Sequence, residues 1–403
     1  MSRYLRTSDE GEDQRASSLE LFYDLVFVFA ITQVSYVLLK DLTWQGAWHA
    51  ALVLLVVWWA WNYTTWVTNE LDPDAVPVRV LMLAIMLASL LMAVAIPEAF
   101  GERALLFVGS YVAIQVGRHV FLTLVVADRG TSERNRSAHI LAWFVVAGAF
   151  WLAGGFADDG ARTLFWIAAL AIDYVAPFVH YWIPGRTRLS SETWEVETAH
   201  FAERFQLFVI IALGETIVIT GATTADLPLT AARASAFILA FLSTAALWWL
   251  YFTYVAAIAE RRLELAQRDR THLARDGYTY LHAVLVGGIL LSAVGDELVI
   301  ARPTEVLPAE EVAALVAGPA LYLLGHVAFR LRMAGTLSWK RLAGALACLV
   351  VAGLGRVAPG LVLGAMLVGI LLAVIGGEHV AAWRRRQRGE ATPMEQLDAE
   401  QPA

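Results

Sequence analysis

The stretch Ser17–Gln33, SSLELFYDLVFVFAITQ, decides how this chain is read. It opens an apolar run long enough to enter a bilayer, yet Glu20 and Asp24 stand in it one helical turn apart. Charge inside a membrane is costly, so each carboxylate needs a partner, a place at the rim or a task. The whole chain repeats the pattern. Its 403 residues are 58% hydrophobic and only 17% charged, poorer in charge than a soluble domain of this length. Apolar segments recur at roughly 19–39, 44–68, 77–97, 103–127, 137–156, 162–182, 198–221, 231–257, 277–299, 311–330, 341–358 and 360–383. Each is near the ~20 residues that carry a helix across ~30 Å of hydrocarbon.

The basic residues test that count. With the N-terminus in the cytoplasm, Lys and Arg should gather before the first span, in alternate loops and after the last. Of 30 basic residues, 22 fall on that face and six on the other, while Arg118 and Arg204 lie within spans. The expectation is an all-α integral membrane protein with about twelve transmembrane helices and both termini cytoplasmic. A polar N-terminal segment (1–18) and a disordered tail (386–403) flank the spans. The acidic leader lacks a small-residue cleavage site, so no cleavable signal is expected. Cys348 is the single cysteine, which excludes disulfides within one chain. A net charge of −7 argues against nucleic acid as a partner; the basic loops suit anionic membrane lipids.

The spans pair across two halves. YDLVFVFAITQ (23–33) aligns with FQLFVIIALGE (205–215), WWAWNYT (58–64) with WWLYFTY (248–254), and LLMAV (90–94) with LLSAV (290–294). The order links each span to the sixth after it, predicting two parallel six-helix repeats over 19–190 and 191–385. Asp24 then matches Gln206, and Gln33 matches Glu215: the halves exchange the level that carries the acid.

Ionisable residues within spans face the bundle, pair or line a path. The candidates for a substrate or ion pathway are Glu20, Asp24, Arg118, Asp173, Glu203, Arg204 and Glu215. Glu20 is placed at the cytoplasmic rim, helped by its helix N-terminus, and Asp24 one turn deeper. Helical periodicity puts Arg204 and Glu215 on one face, but ~16 Å apart in depth, so each requires a partner on another helix. His200, Glu203 and Arg204 at the mouth of their span read equally as a gate or as an interfacial salt-bridge cluster. The 15 tryptophans read as belt and packing residues. HExxH, CxxCH, phosphate-binding and nucleophile-elbow motifs are all missing, so neither cofactor, metal nor enzymatic activity is expected.

Three ordered motifs resemble the bacterial low temperature requirement A (LtrA) family: LELFYDLVFVFAITQ, WWAWNYTTWVTNELDPDAVPVR and HFAERFQLFVIIALGETIVITG. The resemblance covers about 17–385 and implies a multi-pass protein of the bacterial inner membrane, linked by its family name to growth in the cold. Its signature falls here on Glu20, Phe22, Asp24, Trp58, Trp59, Asn62, Arg204, Phe205, Gly214 and Glu215. FYDLVFVFAIT is also similar to the Phe-Ser-Asp signature of cation channels built from six-helix repeats, though Tyr23 replaces the Ser and Ser18 the partner Arg.

Three functions compete. The first is a secondary transporter or ion- or proton-conducting protein, with Asp24 and Glu215 as ion sites and Arg118 and Arg204 as counter-charges. Its partner would be a small ion or solute, with homo-oligomerisation open. The second is a non-transporting stress or assembly factor. The third is a membrane-embedded enzyme using Glu70, Asp72 and Asp74, a cluster that reads more simply as a two-proline loop.

Overall fold

The computed structural model describes residues 4, 15–126, 131–186, 189, 196–253, 255–266 and 269–399. The architecture is all-helical. In chain order the helices are α1 (Ser18–Lys40), α2 (Trp44–Thr68), α3 (Val76–Ala95), α4 (Ala104–Phe121), α5 (Ser132–Phe156), α6 (Asp159–Val175), α7 (Thr198–Asp226) and α8 (Ala231–Phe252). They continue with α9 (Ala256–Leu265), α10 (Arg270–Leu273), α11 (His282–Ala301), α12 (Ala309–Ala334), α13 (Trp339–Val351), α14 (Gly360–Gln387) and α15 (Pro393–Ala399). Wide π-turns extend α4 over Leu122–Val126 and lead into α11 over Ala274–Leu281.

Among the described residues, ten helical stretches are long and apolar enough to cross a membrane. The expected spans at 162–182 and 341–358 are helical but shorter. α6 has 17 residues and α13 has 13, or ~25 and ~20 Å of rise. Pro177 and a turn with positive φ at His180 and Tyr181 end α6 early. Gly353, Gly355 and Pro359 follow α13. At the C-terminal end, α14 runs on to Gln387, and α15 forms where a disordered tail was expected, with Asp398 paired to Arg261 at 2.7 Å. The expected leader lies mostly outside the described residues, as does the 190/191 repeat boundary.

Two compact units divide the chain: Met1–Val37 with Trp48–Arg204, and Leu38–Ala47 with Phe205–Ala403. In the first, α3 packs on α4, α4 on α5 and α5 on α6. The core of this unit is aromatic: Trp58, Trp59 and Trp61 of α2, Trp151 of α5 and Trp166 of α6 are fully buried, and Trp59 stacks on Tyr174 with ring centroids 3.9 Å apart. These tryptophans are packing residues, whereas Trp44, Trp48 and Trp182 are exposed.

In the second unit the closest pair is α11 with α12. A Cβ on Gly318 would stand 2.4 Å from the Ser292 backbone nitrogen, and one on Gly288 would stand 2.6 Å from that of Tyr322. Small residues let membrane helices approach until their backbones touch, replacing the hydrophobic drive that lipid cannot supply. Gly318→Val should therefore lower the unfolding transition in detergent by about 1–3 kcal/mol or more. Gly109→Ala, with open space around its Cβ position, should leave the transition unchanged or slightly raised.

Candidate functional site

The site of the first unit begins at the start of α1. Ser17 and Glu20 form a capping box: Glu20 Oε2 accepts from the Ser17 backbone NH (2.9 Å) and hydroxyl (2.8 Å), and Ser17 Oγ accepts from the Glu20 NH at 3.3 Å. Glu20 thus sits at its helix N-terminus as expected. It is not a solvated rim residue, because only 1% of it is exposed. Two side chains from α7 cover it: His200 Nε2 lies 3.1 Å from Oε1, and Arg204 Nη1 lies 3.2 Å from the same oxygen.

His200 is held in one tautomer. The Asn69 amide satisfies all its neighbours when its nitrogen donates to His200 Nδ1 (3.0 Å) and the Glu197 carbonyl (3.2 Å), and its oxygen accepts from the Glu197 NH (3.0 Å). Nδ1 is then an acceptor, and Nε2–H donates to Glu20.

One turn along α1, Asp24 Oδ1 accepts from Arg204 Nη2 at 2.6 Å and from the Trp61 indole NH at 2.8 Å. Arg204 is wholly buried and Asp24 nearly so, while Asp24 Oδ2 has no hydrogen-bond partner. A single guanidinium therefore stands between two carboxylates from successive turns of one helix. Full ionisation of both carboxylates leaves one negative charge that the single guanidinium does not balance. Glu203, half-buried and immediately before Arg204 on α7, accepts from the Ala16 backbone NH at 2.8 Å and stays out of this set.

One turn further along α2, a second buried cation is held. Tyr23 donates to the Ala60 carbonyl at 3.3 Å, Thr64 donates to the same carbonyl at 2.9 Å, and Arg118 Nη1 donates to Thr64 Oγ1 at 2.8 Å. Arg118 Nη2 donates to Gln115 Oε1. Its guanidinium lies 5.6 Å from the Tyr63 ring centroid and 5.8 Å from that of Phe144. Asp173 on α6 is buried as predicted, but its Oδ2 is taken by the Tyr111 hydroxyl (2.8 Å) and the Trp151 indole NH (3.0 Å).

In the second unit Glu215 is buried on α7 beside Thr216, whose hydroxyl donates to the Leu213 carbonyl and meets that of Thr244, both at 2.7 Å. Phe205 is fully buried and packs on Tyr278 and His282. Gly214 has open space at its Cβ position. Of the remaining signature residues, Trp58, Trp59 and Asn62 are buried on α2, whereas Phe22 is 53% exposed. The loop acids are engaged, Glu70 with Arg136 and Asp74 with Arg79.

Sequence reasoning overlooked Asp296 and Glu297 on α11, which lie against Ser243 and Thr223. The signal was present: GDELV interrupts an apolar span just as YDLVF does. It also missed Trp61 as a ligand of Asp24, because tryptophan in a span is read as packing. Among the described residues, no group of three His, Cys, Asp or Glu side chains could hold a metal ion.

Comparison with known proteins bears on the whole chain. No solved structure matches. A curated relative, Uncharacterized protein RA0937 of Rhizobium meliloti (strain 1021), is 38% identical over 317 residues, 78% of this chain and 77% of its own length. The family model of the bacterial low temperature requirement A protein matches residues 15–376, from the residue before the Ser17–Glu20 cap's neighbour Ala16 into α14. The chain therefore belongs to the LtrA family.

Proposed function

We propose that this protein is an ion- or proton-coupled secondary transporter of the bacterial inner membrane, with Asp24 as the residue that takes up and releases the coupled proton or cation. In this reading the chain crosses the bilayer twelve times as two parallel six-helix repeats with both termini cytoplasmic. Glu215 is the acid of the second half. The link to growth in the cold rests on the family description.

One observation carries the proposal: two buried carboxylates share one guanidinium, and one oxygen of Asp24 has no partner. A buried unpaired charge is expensive, so the set favours one added positive charge. Asp24 Oδ2 is the atom open to it. With Asp24 neutralised, Arg204 keeps Glu20 alone; with Asp24 ionised, Arg204 divides between the two. Binding a cation thus changes which turn of α1 holds α7, a local change of the kind that biases a two-state transporter.

A second reading is favoured by how closed the arrangement is. The capping box, Trp61 and Arg204 together could serve only to hold α1 and the start of α7 in register, as in a non-transporting membrane factor. Charge counting separates the two. Asp24→Asn leaves Glu20 and Arg204 balanced, so transport predicts a folded protein, unchanged or raised in thermal stability, whose pH-gradient-driven solute uptake in liposomes is lost. A register clamp predicts lowered stability with no flux in the wild type to lose. Under either reading Arg204→Gln strands two carboxylates and should cost about 3–5 kcal/mol, read as a lower unfolding transition in detergent.

A further inference from the structure

We infer that Arg118 is the anchor of a binding site for a small monovalent anion of the halide, nitrate or short-carboxylate kind. Arg118 is fully buried. The carboxylate whose charge it feels, Asp173, is not in ion-pair contact with it and is held instead by Tyr111 and Trp151. The two hydrogen-bonded neighbours of Arg118, Thr64 and Gln115, are neutral. The aromatic faces of Tyr63 and Phe144 attract a cation but carry no net charge.

The unsatisfied atoms around it point to the sign of the ligand. Arg118 Nε has no partner and neither ring nitrogen of His119 has one, while Gln115 Nε2 approaches the Tyr111 hydroxyl without a close hydrogen bond. Gln115 is 1% exposed and His119 2%, so solvent does not reach these groups freely. The guanidinium and amide nitrogens are donors only, and an imidazole has one N–H even when neutral. All three side chains come from one face of α4, at positions 115, 118 and 119, and Phe144 of α5 stacks on His119 at 5.2 Å. A cluster of orphaned donors around a buried positive charge is completed by an acceptor that brings negative charge. A metal or organic cation would be repelled there.

The same helix face explains why the site stands apart from the acid cluster. Trp61 of α2 holds Asp24, while Thr64, one turn on, holds Arg118. Proton or cation uptake at Asp24 and anion binding at Arg118 would thus act on one helix. The inference names a substrate class for the transport reading and rests on it for biological sense, but binding itself is measurable without flux.

The test titrates purified protein in detergent with sodium nitrate and with sodium chloride against a sodium sulfate background, at constant ionic strength and pH. Thermal unfolding and intrinsic tryptophan fluorescence are followed. Wild type should show saturable stabilisation by nitrate or chloride. Gln115→Leu, which keeps the cation and deletes two donors, should bind about tenfold more weakly. Arg118→Gln should lose the response, and Arg118→Lys should retain part of it. Absence of a saturable response in wild type overturns the inference, as does Gln115→Leu and Arg118→Gln binding like wild type. If Arg118→Gln fails to fold, the wild-type and Gln115→Leu titrations decide alone. Binding without any flux in liposomes would sink the transport reading only; flux without binding would sink the anion site only.

Discussion

Everything in the first unit turns on the burial of one guanidinium, that of Arg204, beside two carboxylates that it cannot neutralise together. A buried ion pair roughly balances its desolvation cost against attraction, and gains only when the remaining lone pairs are satisfied. Here satisfaction is partial: Ser17 and His200 serve Glu20 and Trp61 serves Asp24, whereas Asp24 Oδ2 and the Nε and Nη1 of Arg204 have no hydrogen-bond partner. Asn69 orients the His200 ring so that its Nε2 faces Glu20. The surplus of carboxylates over guanidinium is built into this cluster.

Helix α2 joins the two charged sites. Along Ala60–Thr64 its carbonyls and side chains receive Tyr23, position Asp24 and hold Arg118. The motif WWAWNYT is thus more than an aromatic belt. Trp58 and Trp59 pack, while Trp61 and Thr64 are polar ligands presented to α1 and α4 by helical spacing of three residues.

The all-helical membrane class was legible because apolar length and charge placement are properties of the chain itself. The need of Arg204 for a carboxylate on another helix was legible for the same reason: its own face of α7 offers none at its depth. What could not be read was which partner it would choose, since that depends on how α1 and α7 dock. Glu20 shows the limit. Its place at a helix start was evident, but its burial beneath His200 and Arg204 required tertiary structure. Asp296 and Glu297 were legible, since both lie within the expected span at 277–299 and α11 continues past them to Ala301. The lengths of α6 and α13 escaped too, because an apolar stretch says how much chain is greasy, not where the helix stops.

Those two short helices place a demand on the lipid. Under the twelve-crossing reading, α6 and α13 fall ~5–10 Å short of a ~30 Å hydrocarbon layer. Both expose apolar side chains, Leu164 at 70% and Val350 at 73%. The bilayer must thin beside them or the flanking turns must sink into it, at fractions of a kcal/mol per Å. Hydrophobic mismatch of this size makes the energy of the protein depend on the thickness of the membrane around it. On that reading a thicker, more ordered bilayer would strain each unit first at α6 or α13, and the protein would be sensitive to the physical state of its lipids.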